Sequence, residues 1–262
     1  MTKGKVLVIG SNATRLDVQG GTVETGQYLN ETVVPAMALA EAGYEVVLAT
    51  PHGTRPHIDP LSDTADHFEN EAAYRKGRAY FDGDPAMNAV RKLGEIVAEG
   101  LDDYVGFFVP GGHAPIVDLM QDRDLGEILR HAHEAGKPTA LLCHGPIAVA
   151  AAIGDAPAFR AAMVAGQTGK AQELAQGWPY AGYSMTVFSP EEERIAEEHL
   201  LHAKLHFDMA DALAAAGGKV VTRESAFAPH VVVDRELITG QNPASDHALA
   251  SALVKALDAR AG

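Results

Sequence analysis

The chain of 262 residues is 47% hydrophobic, carries a formal charge of −14 and contains one cysteine, so it can bury a large core in one α/β domain but cannot build an intramolecular disulfide framework. The negative charge disfavours nonspecific binding to nucleic acid or anionic membranes. No apolar run approaches the roughly 20 residues of a membrane-spanning helix, and the N-terminal residues enter a strand pattern without a signal-peptide apolar region, which predicts a soluble protein in a reducing, cytoplasmic setting.

In chain order, Lys5 to Ile9, Glu45 to Ala49, Tyr104 to Val109 and Thr139 to Cys143 read as buried strands, being nearly continuous apolar segments ended by a turn. Between them lie helical patterns at Gln27 to Glu41, Ala86 to Ala98 and Leu125 to Glu134, closed by Gly43, Gly100 and Gly136. Ser184 to Phe188, Lys219 to Thr222, His230 to Val233 and Glu236 to Thr239 are further strand candidates, and Ala244 to Leu257 is a closing helix. This alternation predicts an α/β fold: a doubly wound, mostly parallel sheet with helices on both faces, whose ligands bind beyond the carboxyl ends of the strands. One domain spanning 1–262 is expected, interrupted by long loops at about 51–85 and 165–183. The first holds His52, His57 and His67; the second holds the only tryptophan and reads as either a surface crossover packed by its own aromatics or a pocket wall.

Cys143 ends the fourth strand, where Pro138-Thr-Ala-Leu-Leu-Cys143 turns into His144-Gly-Pro-Ile-Ala-Val, the first turns of a helix. A thiol there faces unpaired backbone N–H groups and the positive end of a helix dipole, which favour the nucleophilic thiolate. Gly145 keeps the corner open, and Pro146 suits a first helical turn. The third strand ends in Val109-Pro-Gly111-Gly112-His113, a turn that a parallel sheet would bring near Cys143. Its glycines allow close backbone approach, making Gly111, Gly112 and His113 candidates for oxyanion or substrate binding. Neither a dinucleotide fingerprint nor a phosphate loop occurs.

Together with Glu31-Thr-Val-Val-Pro35 and Leu237-Ile-Thr-Gly-Gln-Asn-Pro-Ala-Ser245, these motifs give the chain a resemblance to the ThiJ/PfpI superfamily, with its flavodoxin-like, class I glutamine amidotransferase-like fold. Within it, the chain resembles the branch of glutathione-independent glyoxalases and stress chaperones. The resemblance implies Cys143 as nucleophile, His144 as its neighbouring histidine, and Glu31 as the carboxylic acid that hydrogen-bonds the sulfur. It also implies the Gly112 backbone and the His144 N–H as oxyanion donors, and Glu193 as the acid orienting the histidine, although Glu191 and Glu192 leave that register open. The apolar neighbours Val33, Val34 and Pro35 would raise the pKa of Glu31.

The implied chemistry is conversion of a 2-oxoaldehyde such as methylglyoxal to a hydroxy acid, D-lactate by analogy. Attack by Cys143 gives a hemithioacetal; His144 or Glu31 could remove the C1 hydrogen, and water releases the acid from a thioester. Being an internal redox reaction, it requires no glutathione, nicotinamide or metal. Other readings are a stress-response holdase, a cysteine-dependent deglycase, amidohydrolase or peptidase, and a redox sensor. No metal site is expected, the relevant candidate being His113 with a histidine of residues 52–67. The expected partners are a small dicarbonyl substrate and, from the family's habit, a second copy in a homodimer.

Overall fold

Strand β1 (Lys5–Ile9) sends Val6 and Val8 to one face and Leu7 and Ile9 to the other, all of them fully buried. That two-residue period recurs in the central strands and creates two apolar layers. The computed structural model describes residues 2–261. After β1 come a hairpin of β2 (Arg15–Val18) and β3 (Gly21–Glu24), then helix α1 (Leu29–Glu41) and strand β4 (Glu45–Thr50). Next are α2 (Glu71–Gly83), α3 (Pro85–Asn88), the two-residue β5 (Arg91–Lys92), α4 (Leu93–Glu99) and β6 (Tyr104–Val109). Helix α5 (Arg123–Glu134) leads to β7 (Thr139–Leu142), a buried 3-10 helix at Gly145–Ala152, α6 (Ala156–Val164) and α7 (Thr168–Leu174). The remainder comprises β8 (Ser184–Met185), α8 (Pro190–Ala196), α9 (Met209–Ala215), β9 (Lys219–Val220), β10 (Val231–Asp234), β11 (Leu237–Gly240) and α10 (Asp246–Ala261).

The seven-stranded sheet has the order β10-β11-β7-β6-β1-β4-β5. Every pairing is parallel except the edge hairpin of β10 with β11. The chain builds outward from β1 through β4 to β5, then returns to lay β6, β7 and β11 on the other side. This reversal between β1 and β6 is the switch point at which doubly wound sheets bind ligands. On one face, Leu29, Val33, Ala36 and Leu39 of α1 pack with Leu249, Leu253 and Leu257 of α10; on the other, Leu125, Ile128, Leu129 and Ala132 of α5 cover the sheet. Each set follows the helical repeat. Among the described residues no helix is long and apolar enough to cross a membrane.

Several sequence expectations are corrected. The continuous helix expected over 86–98 is two short helices separated by Arg91–Lys92, which pair with Ala49 and Thr50 at the sheet edge. Unpaired backbone groups at that edge provide partners that helical periodicity does not anticipate. The segments read as loops contain α2 and α7. Helix α2 buries only Gly77 and Phe81, so its apolar stripe is too thin to register, although Asn70 caps it by accepting from the Ala73 N–H at 3.0 Å. In the second segment Trp178 donates to Val149 O and Tyr180 to Leu129 O, so the aromatics pack into the core and do not wall the pocket. The strands expected at 184–188 and 219–222 shrink to a two-residue pair outside the main sheet.

Candidate functional site

Cys143 terminates β7 because its backbone adopts φ +61°, a left-handed conformation that costs a non-glycine residue about 1–3 kcal/mol. Two backbone bonds hold it there: Cys143 N–H donates to Gly240 O at 2.8 Å, and Phe188 N–H donates to Cys143 O at 2.9 Å. The strand expected to include Cys143 therefore stops at Leu142. The helix after it is 3-10, and all eight of its residues are buried.

His144 Nδ1 lies 3.2 Å from Cys143 Sγ, and His144 Nε2 lies 2.8 Å from Glu193 Oε2. The other Glu193 oxygen, Oε1, is 3.0 Å from His113 Nε2. Burial would raise the pKa of Glu193, but the two histidines outweigh it and hold the carboxyl well below its usual range. An ionised Glu193 is an acceptor only, so His144 must present its Nε2–H to it and leave the Nδ1 lone pair facing the thiol. Burial, reinforced by His113, depresses the pKa of His144 to about 4, so it is a neutral base at pH 7. For His113 burial pulls downward, but the charge and hydrogen bond of Glu193 prevail and raise its pKa.

Glu31, in the first turn of α1, is completely buried. Its Oε2 accepts the Gly111 N–H at 3.0 Å, and Oε1 has no ordinary hydrogen-bond partner. Burial, with a contribution from Asp246, raises its pKa to about 8. The carboxyl faces Cys143, and a neutral acid with an unengaged oxygen is a proton donor poised beside the sulfur. Pro35 adds a local feature, since it has no N–H to give to the Glu31 carbonyl one turn earlier.

The surroundings of the sulfur act against the lowering that a helix N-terminus gives a thiol. Burial, followed by the adjacent Glu31, pushes the Cys143 thiol well above its ordinary pKa; the Gly112 N–H opposes this only in part. In the glycine turn the Gly111 N–H is engaged by Glu31 and His113 Nε2 by Glu193, while His113 also lines the cavity. The glycine pair is nonetheless sterically required. A Cβ on Gly111 would overlap the Glu31 carboxylate and come within 2.5 Å of Leu142 O and 2.7 Å of the Cys143 Cβ. Gly112 has φ +84°, and a Cβ there would strike Gly26 O. Gly111→Ala should lower stability by about 1–3 kcal/mol and displace Glu31 from the sulfur, measurable by thermal melting together with the alkylation rate of Cys143.

Of the three consecutive acids, Glu191 pairs with Arg194 at the surface and Glu192 turns inward. Glu192 completes a capping box with Ser189 and accepts from Gln241, Asn242 and the Phe227 N–H. Only Glu193 reaches the histidines. His113, His144 and Glu193 place donor atoms within 4.8 Å of one another, the only such group among the described residues. The facing nitrogens and oxygens are already matched as hydrogen bonds. His52, His57 and His67 do not join this cluster, although His67 lines the same cavity as His113.

A cavity of about 430 Å³ opens onto the sulfur, lined by Tyr28, His67, Phe68, Phe188, Leu200 and Phe227, among others. Cys143 itself is 2% exposed, and the cavity is its access route. Tyr28, Phe188, Leu200 and Phe227 were not anticipated from sequence; Val187-Phe188-Ser-Pro, directly before the acids, was the nearest signal.

A cysteine corner at the carboxyl edge of a doubly wound sheet, with histidine and carboxylate aligned behind it, defines a class of α/β proteins with a buried cysteine centre. The chain belongs to the DJ-1/PfpI family, whose sequence profile matches residues 23–160. It is similar to the protein/nucleic acid deglycase HchA of Staphylococcus aureus, 27% identical over 253 residues, covering 94% of this chain and 77% of the relative. Among solved structures, the Rapid Encystment Protein 24 kDa of Francisella tularensis superposes with TM-score 0.75 at 20% identity, covering 98% of this chain and 99% of that one. Glyoxalase III of Candida albicans superposes with TM-score 0.70 at 23% identity, covering 97% of each chain.

Proposed function

We propose that the protein is a glutathione-independent glyoxalase of the DJ-1/PfpI family, acting on 2-oxoaldehydes through Cys143. The observation that supports this most is the Cys143–His144–Glu193 alignment with Glu31 as a neutral acid against the same sulfur. The thiol attacks the aldehyde carbon while His144 Nδ1 takes its proton and returns it to the aldehyde oxygen, giving a hemithioacetal. His144, again neutral, removes the C1 hydrogen and passes that proton to the C2 oxygen to give the enediol; Glu31, protonated below about pH 8, then donates at the C2 carbon and recovers a proton from the C1 hydroxyl as it becomes the thioester carbonyl. C1 is thereby oxidised to a thioester and C2 reduced to an alcohol, so the electrons balance without an external carrier. Water then cleaves the thioester to the 2-hydroxy acid and restores the thiol. The Gly112 N–H, which faces the sulfur, is the backbone donor placed to stabilise charge near C1. A neutral Glu31 and a basic His144 support giving the acid's role to the first and the base's role to the second.

The deciding experiment incubates purified protein with methylglyoxal in thiol-free buffer and follows lactate. Cys143→Ala should reduce formation at least about 10³-fold, to the background of the protein surface. Lactate formation that survives this substitution overturns the reading. The name of the Staphylococcus aureus relative favours a second reading, deglycation through the same Cys143, which predicts amine release from a glycated amine in preference to lactate from the free dicarbonyl.

A further inference from the structure

The cavity is larger and more apolar than methylglyoxal requires. At about 430 Å³ it has room for roughly 14 waters at ~30 Å³ each and falls within the range of about 300–1,000 Å³ that buries much larger ligands. Its lining contains no lysine or arginine, and Asp66 is its one carboxylate. A substrate bearing a carboxylate or phosphate would meet no lysine or arginine, and His113 of the lining is already paired with Glu193; the formal charge of −14 adds to its exclusion.

Beyond Phe188, the cavity wall is organised around Phe227. Its backbone sits at φ +58°, an outlier for a bulky residue, and its N–H is held at 2.7 Å by the buried Glu192 carboxylate. Glu192 is itself fixed by Ser189 N–H at 2.9 Å, Gln241 at 3.0 Å and Asn242 at 2.7 Å. Neighbouring residues of α8 thus hold the reaction centre, through Glu193, and the far wall, through Glu192. The Phe227 side chain remains 43% exposed and Leu200 48% exposed, both at the cavity. Aromatic rings connect the two ends: His113 to His144 at 4.0 Å, His144 to Phe188 at 4.4 Å and Phe188 to Phe227 at 6.1 Å between centroids. A strained backbone that displays a large apolar side chain at a pocket mouth calls for an occupant.

We propose that Phe227, with Phe188 and Leu200, forms a subsite for the apolar, preferably aromatic, substituent of a neutral 2-oxoaldehyde whose aldehyde carbon reacts at Cys143. This rests on the glyoxalase reading above. The reaction is unchanged: R–CO–CHO and water give R–CH(OH)–COOH, with C1 oxidised and C2 reduced. A flat ring stacks on Phe188 and Phe227 and covers apolar area that is otherwise wet.

The test compares kcat/KM for phenylglyoxal, followed as mandelate, with that for methylglyoxal, followed as lactate. The ratio should favour phenylglyoxal by about 10-fold or more, the scale of discrimination an apolar pocket reaches. Phe227→Ala should collapse the ratio about 10-fold, while Val233→Ala, an exposed apolar residue outside the cavity, should leave it unchanged. A ratio near unity, or one insensitive to Phe227→Ala, overturns the subsite. So does a change of oligomeric state in Phe227→Ala with the ratio intact, which assigns the patch to a contact between copies. Binding separates the subsite from the chemistry. Acetophenone titrated into Cys143→Ala should bind saturably, and more weakly when Phe227→Ala is added. If neither substrate is turned over but this binding holds, the glyoxalase reading fails and the subsite stands; absence of binding removes the subsite.

Discussion

Replacing Glu193 by glutamine should lower kcat with methylglyoxal by roughly 10²–10⁴-fold, the range seen when the partner of a catalytic histidine is neutralised and the wrong tautomer results. Both Glu193 oxygens now accept from imidazole Nε2 atoms, His144 at 2.8 Å and His113 at 3.0 Å. Glutamine offers one oxygen and one NH₂, so one histidine must accept at Nε2 and move its proton to Nδ1. If that histidine is His144, the lone pair facing Sγ disappears. A kcat within a fewfold of the parent, in a variant with an unchanged melting profile, would show that the carboxylate does not set the tautomer.

Glu31→Gln should separate activity from stability. The carboxyl has a native pKa of about 8 against ~4.3 in an unfolded chain. The native state therefore retains a proton that the unfolded state loses, and stability contributed by the neutral acid declines as pH rises from about 4.3 through about 8. Glutamine resembles the neutral acid at every pH. The variant should be more stable at pH 7 by on the order of 3 kcal/mol, raising Tm by roughly 6–12 °C for a chain of this size, with the difference vanishing below about pH 4. Its kcat should fall about 10²–10⁴-fold, since an amide cannot deliver a proton at C2. In the parent enzyme, kcat/KM should decline below about pH 4, where His144 gains a proton, and above about pH 8, where Glu31 loses one. Equal Tm values for parent and variant at pH 7 would place Glu31 ionised in the native state and remove its role as acid.

Stabilisation by substitution of a site residue follows from how the site is built. A buried carboxyl kept neutral, a cysteine at positive φ and a phenylalanine at positive φ are each unfavourable locally. The surrounding sheet ends and the Glu192 network keep them in place.

The legible parts of the site were those with a local signal. Cys143, His144 and the glycine turn stand at strand ends, where an apolar run, a proline and paired glycines coincide within a few residues. The apolar neighbours of Glu31 announced its burial before the fold was known. Glu193 was harder, since Glu191, Glu192 and Glu193 are chemically alike in sequence. On a helix, successive side chains point about 100° apart, and α8 sends one to solvent, one to the Phe227 loop and one to the histidines. Phe227 and Leu200 had no signal, because an isolated apolar residue in a polar segment has no period.

The sequence by itself determined the sheet layers, the order of the central strands along the chain and the corner on which the sulfur sits, because each follows from side-chain repeats and backbone preferences acting over a few residues. Only the tertiary structure decided the depth at which the sulfur is buried, the choice among the acids and the occupancy of the Gly111 and His113 donors. Those depend on desolvation and on direction, which are properties of what residues distant in the chain bring together.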